Sequence, residues 1–146
     1  MKKQLVLKFF LYIVLIIIVS TLLLLLVNYA QKKQRDVERL NNIASIRLAL
    51  ESYFFHHQSY PITQQDTILG SQGAKVLCNT DIGIQNTGED CDKIFMNNIA
   101  KDPLSENEFR YIYNSNGDSY NINFFLERND SGLSEGNHQA TPEGIK

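Results

Sequence analysis

Two cysteines, three histidines and a group of acids near residue 130 are the side chains of this sequence best suited to chemistry. Cys78 and Cys91 lie in the polar half of the chain, among Asn, Asp, Gly and Thr. Three states compete for them: a disulfide, two free buried thiols, or half of a metal site. A zinc site lacks C-x-x-C spacing and has only His56, His57 and His138 as further ligands. Two cysteines in a small domain outside the cytoplasm usually pair, so a Cys78–Cys91 disulfide is the favoured state. Adjacent His56 and His57 diverge by about 100° on a helix and do not easily share a metal, so they read as surface or cap residues. Glu127, Asp130 and Glu135 are oxygen donors in one loop and suit Ca²⁺, but without the Asp-x-Asp spacing of a dedicated site; a solvated loop competes. No nucleophile elbow, zinc-protease or phosphate-loop pattern occurs. No enzymatic activity, catalytic residue or obligatory cofactor is expected.

The elements that carry these residues begin with residues 9–27, FFLYIVLIIIVSTLLLLLV, which contain no charge and only Ser20 and Thr21 as polar groups. About 20 such residues match the roughly 30 Å of bilayer hydrocarbon. A buried core helix would need protein on every side, more than the rest of the chain supplies. A signal peptide would begin like Met1-Lys2-Lys3, but its apolar region runs about 7–15 residues and closes on a small-x-small site, which is missing. The expectation is a cytoplasmic segment 1–8, a transmembrane helix 9–28 and an extracytoplasmic domain 29–146, with the lipid bilayer as first partner. Basic residues flank the helix on both sides, at Lys2, Lys3 and Lys8 and at Lys32, Lys33 and Arg35, so charge alone does not set orientation. The expected pairing of the cysteines favours a C-terminal domain outside the cytoplasm. A net charge of −2 gives no sign of a nucleic-acid partner.

From Asn28 to Phe55 neither Pro nor Gly occurs, and the composition favours helix. One continuous helix over residues 5–57 is expected, on the order of 75–80 Å long. Val37, Leu40, Ile43, Ala44, Leu48 and Leu50 form its apolar face; Asp36 with Arg39 and Arg47 with Glu51 read as pairs on a solvated face. Tyr53, Phe54 and Phe55 close the helix over the sheet, and Tyr60-Pro61 stops it. Residues 62–108 read as loop, structured around the cysteines, with a short helix at 93–100. Strands at 109–113 and 120–127 form the sheet region, joined at Asn116-Gly117, both suited to positive φ. The tail, 128–146, reads as loop with at most one short edge strand. The fold class is α+β, a long helix packed on a small antiparallel sheet with a disulfide-bearing loop.

Arg35-Asp36, Ile43, Ile46, Ala49, Leu50, Glu51, Tyr53 and Tyr60-Pro61, following a long apolar helix, resemble the type IV pilins and type II secretion pseudopilins. Lys101-Asp102-Pro103, Tyr111-x-Tyr113, Leu126-Glu127 and Ala140-Thr141-Pro142-x-Gly144-Ile145 extend the resemblance over most of the chain. It implies a pilin-like fold and a structural or accessory subunit of a pilus or type II secretion-like machine in a bacterial plasma membrane. Its partners would be other pilin-like subunits or inner-membrane assembly proteins, and similar pseudopilins bind calcium in a C-terminal loop. The alternative is a membrane-anchored binding or sensor module on the same fold. The family's cleavage motif, a Gly before Phe-Thr-Leu-Ile-Glu, aligns with Leu5-Val6, and its Glu with Phe10. Both features are missing, which implies an uncleaved chain that keeps Met1-Lys2-Lys3 in the cytoplasm.

Overall fold

A computed structural model describes residues 2–129 and 131–146, in two compact units, Met1–Gln34 and Arg35–Lys146. Helix α1 (Lys2–His57) supplies the described residues of the first unit and the opening element of the second. In the first unit none of its most apolar window is buried against protein. The hydroxyls of Ser20 and Thr21 donate to the carbonyl of Ile17 at 2.9 and 3.0 Å, so the helix satisfies its own polar groups. That self-sufficiency is what a hydrocarbon solvent demands. The helix is long and apolar enough to cross a bilayer, which fits a single-pass membrane protein.

In the second unit α1 buries Asp36, Arg39, Ile43, Ile46, Leu50 and Tyr53, at spacings of three and four that keep one face inward. This differs from the expected apolar face. Leu40, Ile43 and Leu50 point inward, but Val37, Ala44 and Leu48 are exposed, Leu48 by 71 %. The closing aromatics divide likewise: Tyr53 is buried, Phe54 half-buried and Phe55 77 % exposed. Rotation of 100° per residue makes this unavoidable, since three successive rings cannot share a face. The helix ends with Gln58 in the left-handed region, its N–H donating to the carbonyl of Phe54 at 2.7 Å.

Eight short strands follow among the described residues: β1 (Thr67–Ile68), β2 (Val76–Cys78), β3 (Ile84–Gln85), β4 (Ile94–Met96), β5 (Ile112–Ser115), β6 (Tyr120–Leu126), β7 (Gly136–Thr141) and β8 (Gly144–Ile145). They form an antiparallel five-stranded sheet, β1-β5-β6-β7-β8, and a three-stranded one, β3-β2-β4. Strand β6 is central: Tyr120, Ile122, Phe124 and Leu126 are buried and the residues between them half-buried. With Tyr111 and Tyr113 they pack in one core with Ile43, Ile46, Leu50 and Tyr53 of α1.

Five further expectations are corrected, the first being the strand expected at 109–113, which is β5 at Ile112–Ser115 because the N–H groups of Phe109 and Arg110 turn back to the carbonyls of Glu106 and Glu108. Residues 94–96 form a strand instead of a helix, because Met96 and Ile94 pair with Leu77 and Cys78; cross-strand packing overrides weak local helix propensity. The loop at 62–92 contains β1, β2 and β3. The tail contributes β7 in the sheet interior, paired with β6 through Ile122–Ala140 and Phe124–His138. Its alternation is masked because buried His138 sits where an apolar residue would, held by the carbonyls of Ser134 at 2.7 Å and Lys146 at 3.2 Å. At the β5–β6 connection only Gly117 has positive φ; Asn116 instead accepts the N–H groups of Asp118 and Ser119, both at 3.1 Å, in an Asx-type turn. A Cβ on Gly117 would meet Ser59 Oγ at 2.9 Å, and its carbonyl accepts the N–H of Tyr60, so this glycine seats the hairpin against the helix end.

Candidate functional site

Where α1 enters the second unit, three segments converge on one guanidinium. Helix α1 supplies Arg35, Asp36 and Arg39; the segment after β4 supplies Asp102; the residue following β6 is Glu127. Arg39 donates from Nε and Nη2 to the two oxygens of Asp102 at 2.7 and 3.1 Å. Its Nη1 reaches Asp36 Oδ1 at 2.8 Å and Glu127 Oε1 at 2.7 Å. Arg35 grips Glu127 by both oxygens, each at 2.7 Å. Backbone groups join the cluster, with the Glu127 N–H on Asp36 Oδ1 and the Leu104 N–H on Asp102 Oδ1, both at 2.9 Å, while Asp36 Oδ2 is buried without a hydrogen-bond partner.

Asp36, Arg39, Asp102 and Glu127 are all buried. The ring of Phe109 lies 4.8 Å from the Arg39 guanidinium carbon and packs edge-on against Phe125, shielding the cation from above. Asp36 with Arg39 is therefore a buried pair, not the solvated one expected from its spacing. Arg47 and Glu51 also part company: Arg47 donates to the carbonyls of Thr141 and Pro142, while Glu51 accepts the hydroxyl of Tyr60.

Low dielectric makes these contacts strong and their loss costly. The hydrogen bond from Arg35, opposed by burial and aided by Arg39, holds the Glu127 carboxyl down at about 2. Burial pulls the Arg39 pKa downward, but hydrogen bonds to Asp102, Glu127 and Asp36 outweigh it and leave the guanidinium more firmly charged than usual. Three carboxylates thus face two permanent cations. Each acid is bound by arginine through at least one oxygen, so the cluster is a fastener between helix and sheet.

Cys78 and Cys91 are joined as a disulfide with Cα atoms 5.6 Å apart, and the Gln85 amide donates to both sulfurs. It ties β2 to the loop that precedes β4. Two of the three calcium candidates, Glu127 and Glu135, are among the described residues. Both Glu127 oxygens are taken by arginines, Asp130 lies outside the described residues, and Glu135 is exposed, with its backbone N–H on Asn129 Oδ1. Among the described residues no three His, Cys, Asp or Glu side chains are placed to hold a metal ion. His57 stacks on Tyr53 and bonds Asn79, His56 bonds Lys93, and His138 is buried in the sheet.

The convergence of Asp102 and Glu127 on Arg39 lay beyond sequence reasoning, yet one signal pointed to it. The three-four spacing of the buried face, followed back from Tyr53 through Ile43, lands on Arg39 and then Asp36. No family model, curated protein or solved structure matches this chain.

Proposed function

We propose that this protein is a non-enzymatic, pilin-like structural or accessory subunit, anchored in a bacterial plasma membrane with its α+β unit outside. It works through helix packing in lipid and contacts between folded domains of a pilus or type II secretion-like machine. The observation that carries this reading is α1 itself: an uncovered apolar stretch and a sheet-bearing amphipathic stretch belong to one helix, Lys2–His57. Packing forces transmitted to such a helix in the bilayer pass directly into the element on which the sheet is built. Val37, Leu48 and Phe55, exposed on the second unit, offer apolar surface for subunit contacts. The Cys78–Cys91 bond supports an oxidising compartment for this unit.

Cross-linking in native membranes, followed by detergent extraction and mass spectrometry, tests the proposal. Recovery of pilin-like subunits or inner-membrane assembly proteins is the expected result. Recovery of the chain alone, or with an unrelated soluble ligand, favours a membrane-anchored binding or sensor module.

A further inference from the structure

We infer that Lys32 and Lys33 form a binding collar for the phosphate groups of anionic lipids in the leaflet from which the folded unit emerges. The inference rests on the membrane-spanning reading above. Three basic residues follow the apolar run, and the structure sorts them. Arg35 is consumed by both oxygens of Glu127. Lys32 and Lys33 are exposed and, among the described residues, have no ion pair or hydrogen bond. Two uncompensated cations therefore remain beside the bilayer.

Their position along α1 fits phosphate. If hydrocarbon ends at Val27, the Cα atoms of Lys32 and Lys33 stand about 7.5 and 9 Å beyond it, at 1.5 Å per residue. Helical side chains lean toward the N-terminus and cover the preceding turn, which brings each ammonium back by about 5 Å. The two charges then lie about 2–4 Å outside the hydrocarbon, within a headgroup layer roughly 5–7 Å deep in each leaflet. Tyr29, exposed by 57 %, falls within about 60° of both lysines on the helical wheel. Leu25 and Leu26, also exposed, precede it on the same side. Apolar, aromatic and cationic groups thus succeed one another along one face in the order of the solvent layers they would meet. At the opposite end the same lean carries the Lys8 side chain away from the bilayer, so the two basic flanks are not equivalent.

The test uses full-length protein in phosphatidylcholine vesicles containing a minor fraction of phosphatidylglycerol. Discs cut out by an amphipathic polymer are analysed for lipid content by mass spectrometry. Wild-type discs should be enriched in phosphatidylglycerol over the bulk membrane. The K32Q/K33Q variant should lose about fivefold or more of that preference, given the attraction of each basic residue to an anionic surface. K32R/K33R should retain it, and K8Q should retain most of it. Wild-type discs with bulk composition, or unchanged enrichment in K32Q/K33Q, would overturn the inference. Alkaline carbonate extraction from pure phosphatidylcholine separates the two levels. Release of the protein removes the membrane reading and the collar together, whereas retention without enrichment removes the collar alone.

Discussion

Arg39 and Asp102 are 63 residues apart in sequence and meet through two parallel hydrogen bonds in a site closed to solvent. This pair fastens α1 to the segment that leads into the sheet, and its neighbours Asp36 and Glu127 share the same cation. Asp102→Asn keeps the shape but removes one buried charge, and is expected to cost about 3–5 kcal/mol. Asp118→Asn, on the exposed β5–β6 connection, should stay within about 0.5 kcal/mol. Urea unfolding of the two variants compares them directly; equal midpoints would mean that the pair contributes no more than a surface charge.

Acid should loosen the same cluster in a defined range. Glu127 titrates at about 2 in the folded protein, against 4.5 as its ordinary value. The unfolded chain therefore binds the proton first, so the stabilisation is complete above about pH 4.5 and fades as pH falls toward 2. Its size is about 3 kcal/mol at neutral pH. Glu127→Gln should lower the melting temperature at pH 7 and flatten the acid limb of the profile. A variant curve parallel to wild type from pH 5 to about pH 2 would exclude Glu127 as the source.

The disulfide closes a loop with a sequence separation of 13, for which chain entropy gives a stabilisation of about 3 kcal/mol. Thiol labelling of unreduced, denatured protein should find no free cysteine. Cys78→Ser/Cys91→Ser should unfold at lower urea concentration, and wild type after reduction should follow it. Labelling of both cysteines without reductant would remove the case for an oxidising compartment.

Two aromatics separate core from surface. Phe124 is buried on β6 and Phe55 is exposed on α1. Phe124→Ala should cost about 3–5 kcal/mol in transfer and cavity terms, and Phe55→Ala less than about 1 kcal/mol. Comparable losses in the isolated protein would mean that the Phe55 ring is covered in solution, and a concentration-dependent melting temperature would identify self-association as the cover.

What could be read in the sequence followed strong periodicity. The uncharged run at 9–27, the helix around Ile43 and Leu50, and the alternation of Tyr120, Ile122, Phe124 and Leu126 each carry an unambiguous apolar pattern. Strand β7 was hidden because its inward positions are His138 and Ala140, one polar and one small. Strands β1, β3 and β8 are two residues long, too short for any period. Asp36 and Arg39 misled for a different reason. Their spacing allows a solvated pair as readily as a buried one, and only Asp102 and Glu127, arriving from distant segments, decide between them.

The shortness of β1 and β8 has its own consequence. They form the two margins of the five-stranded sheet, and each strand is only two residues long. At one margin the Ile68 carbonyl is already taken by the Ser71 hydroxyl; beyond the other, Lys146 exchanges backbone hydrogen bonds with Gln139 and continues the guard along β7. Such margins give an incoming strand almost nothing to template on, which protects against amyloid-like stacking. Copies crowded side by side on a membrane would remain separate folded bodies instead of fusing their sheets. Deleting residues 142–146 should reverse this by baring β7, with dye-binding, β-rich aggregates as the expected product; a truncated chain that stays monomeric would show that the guard is dispensable.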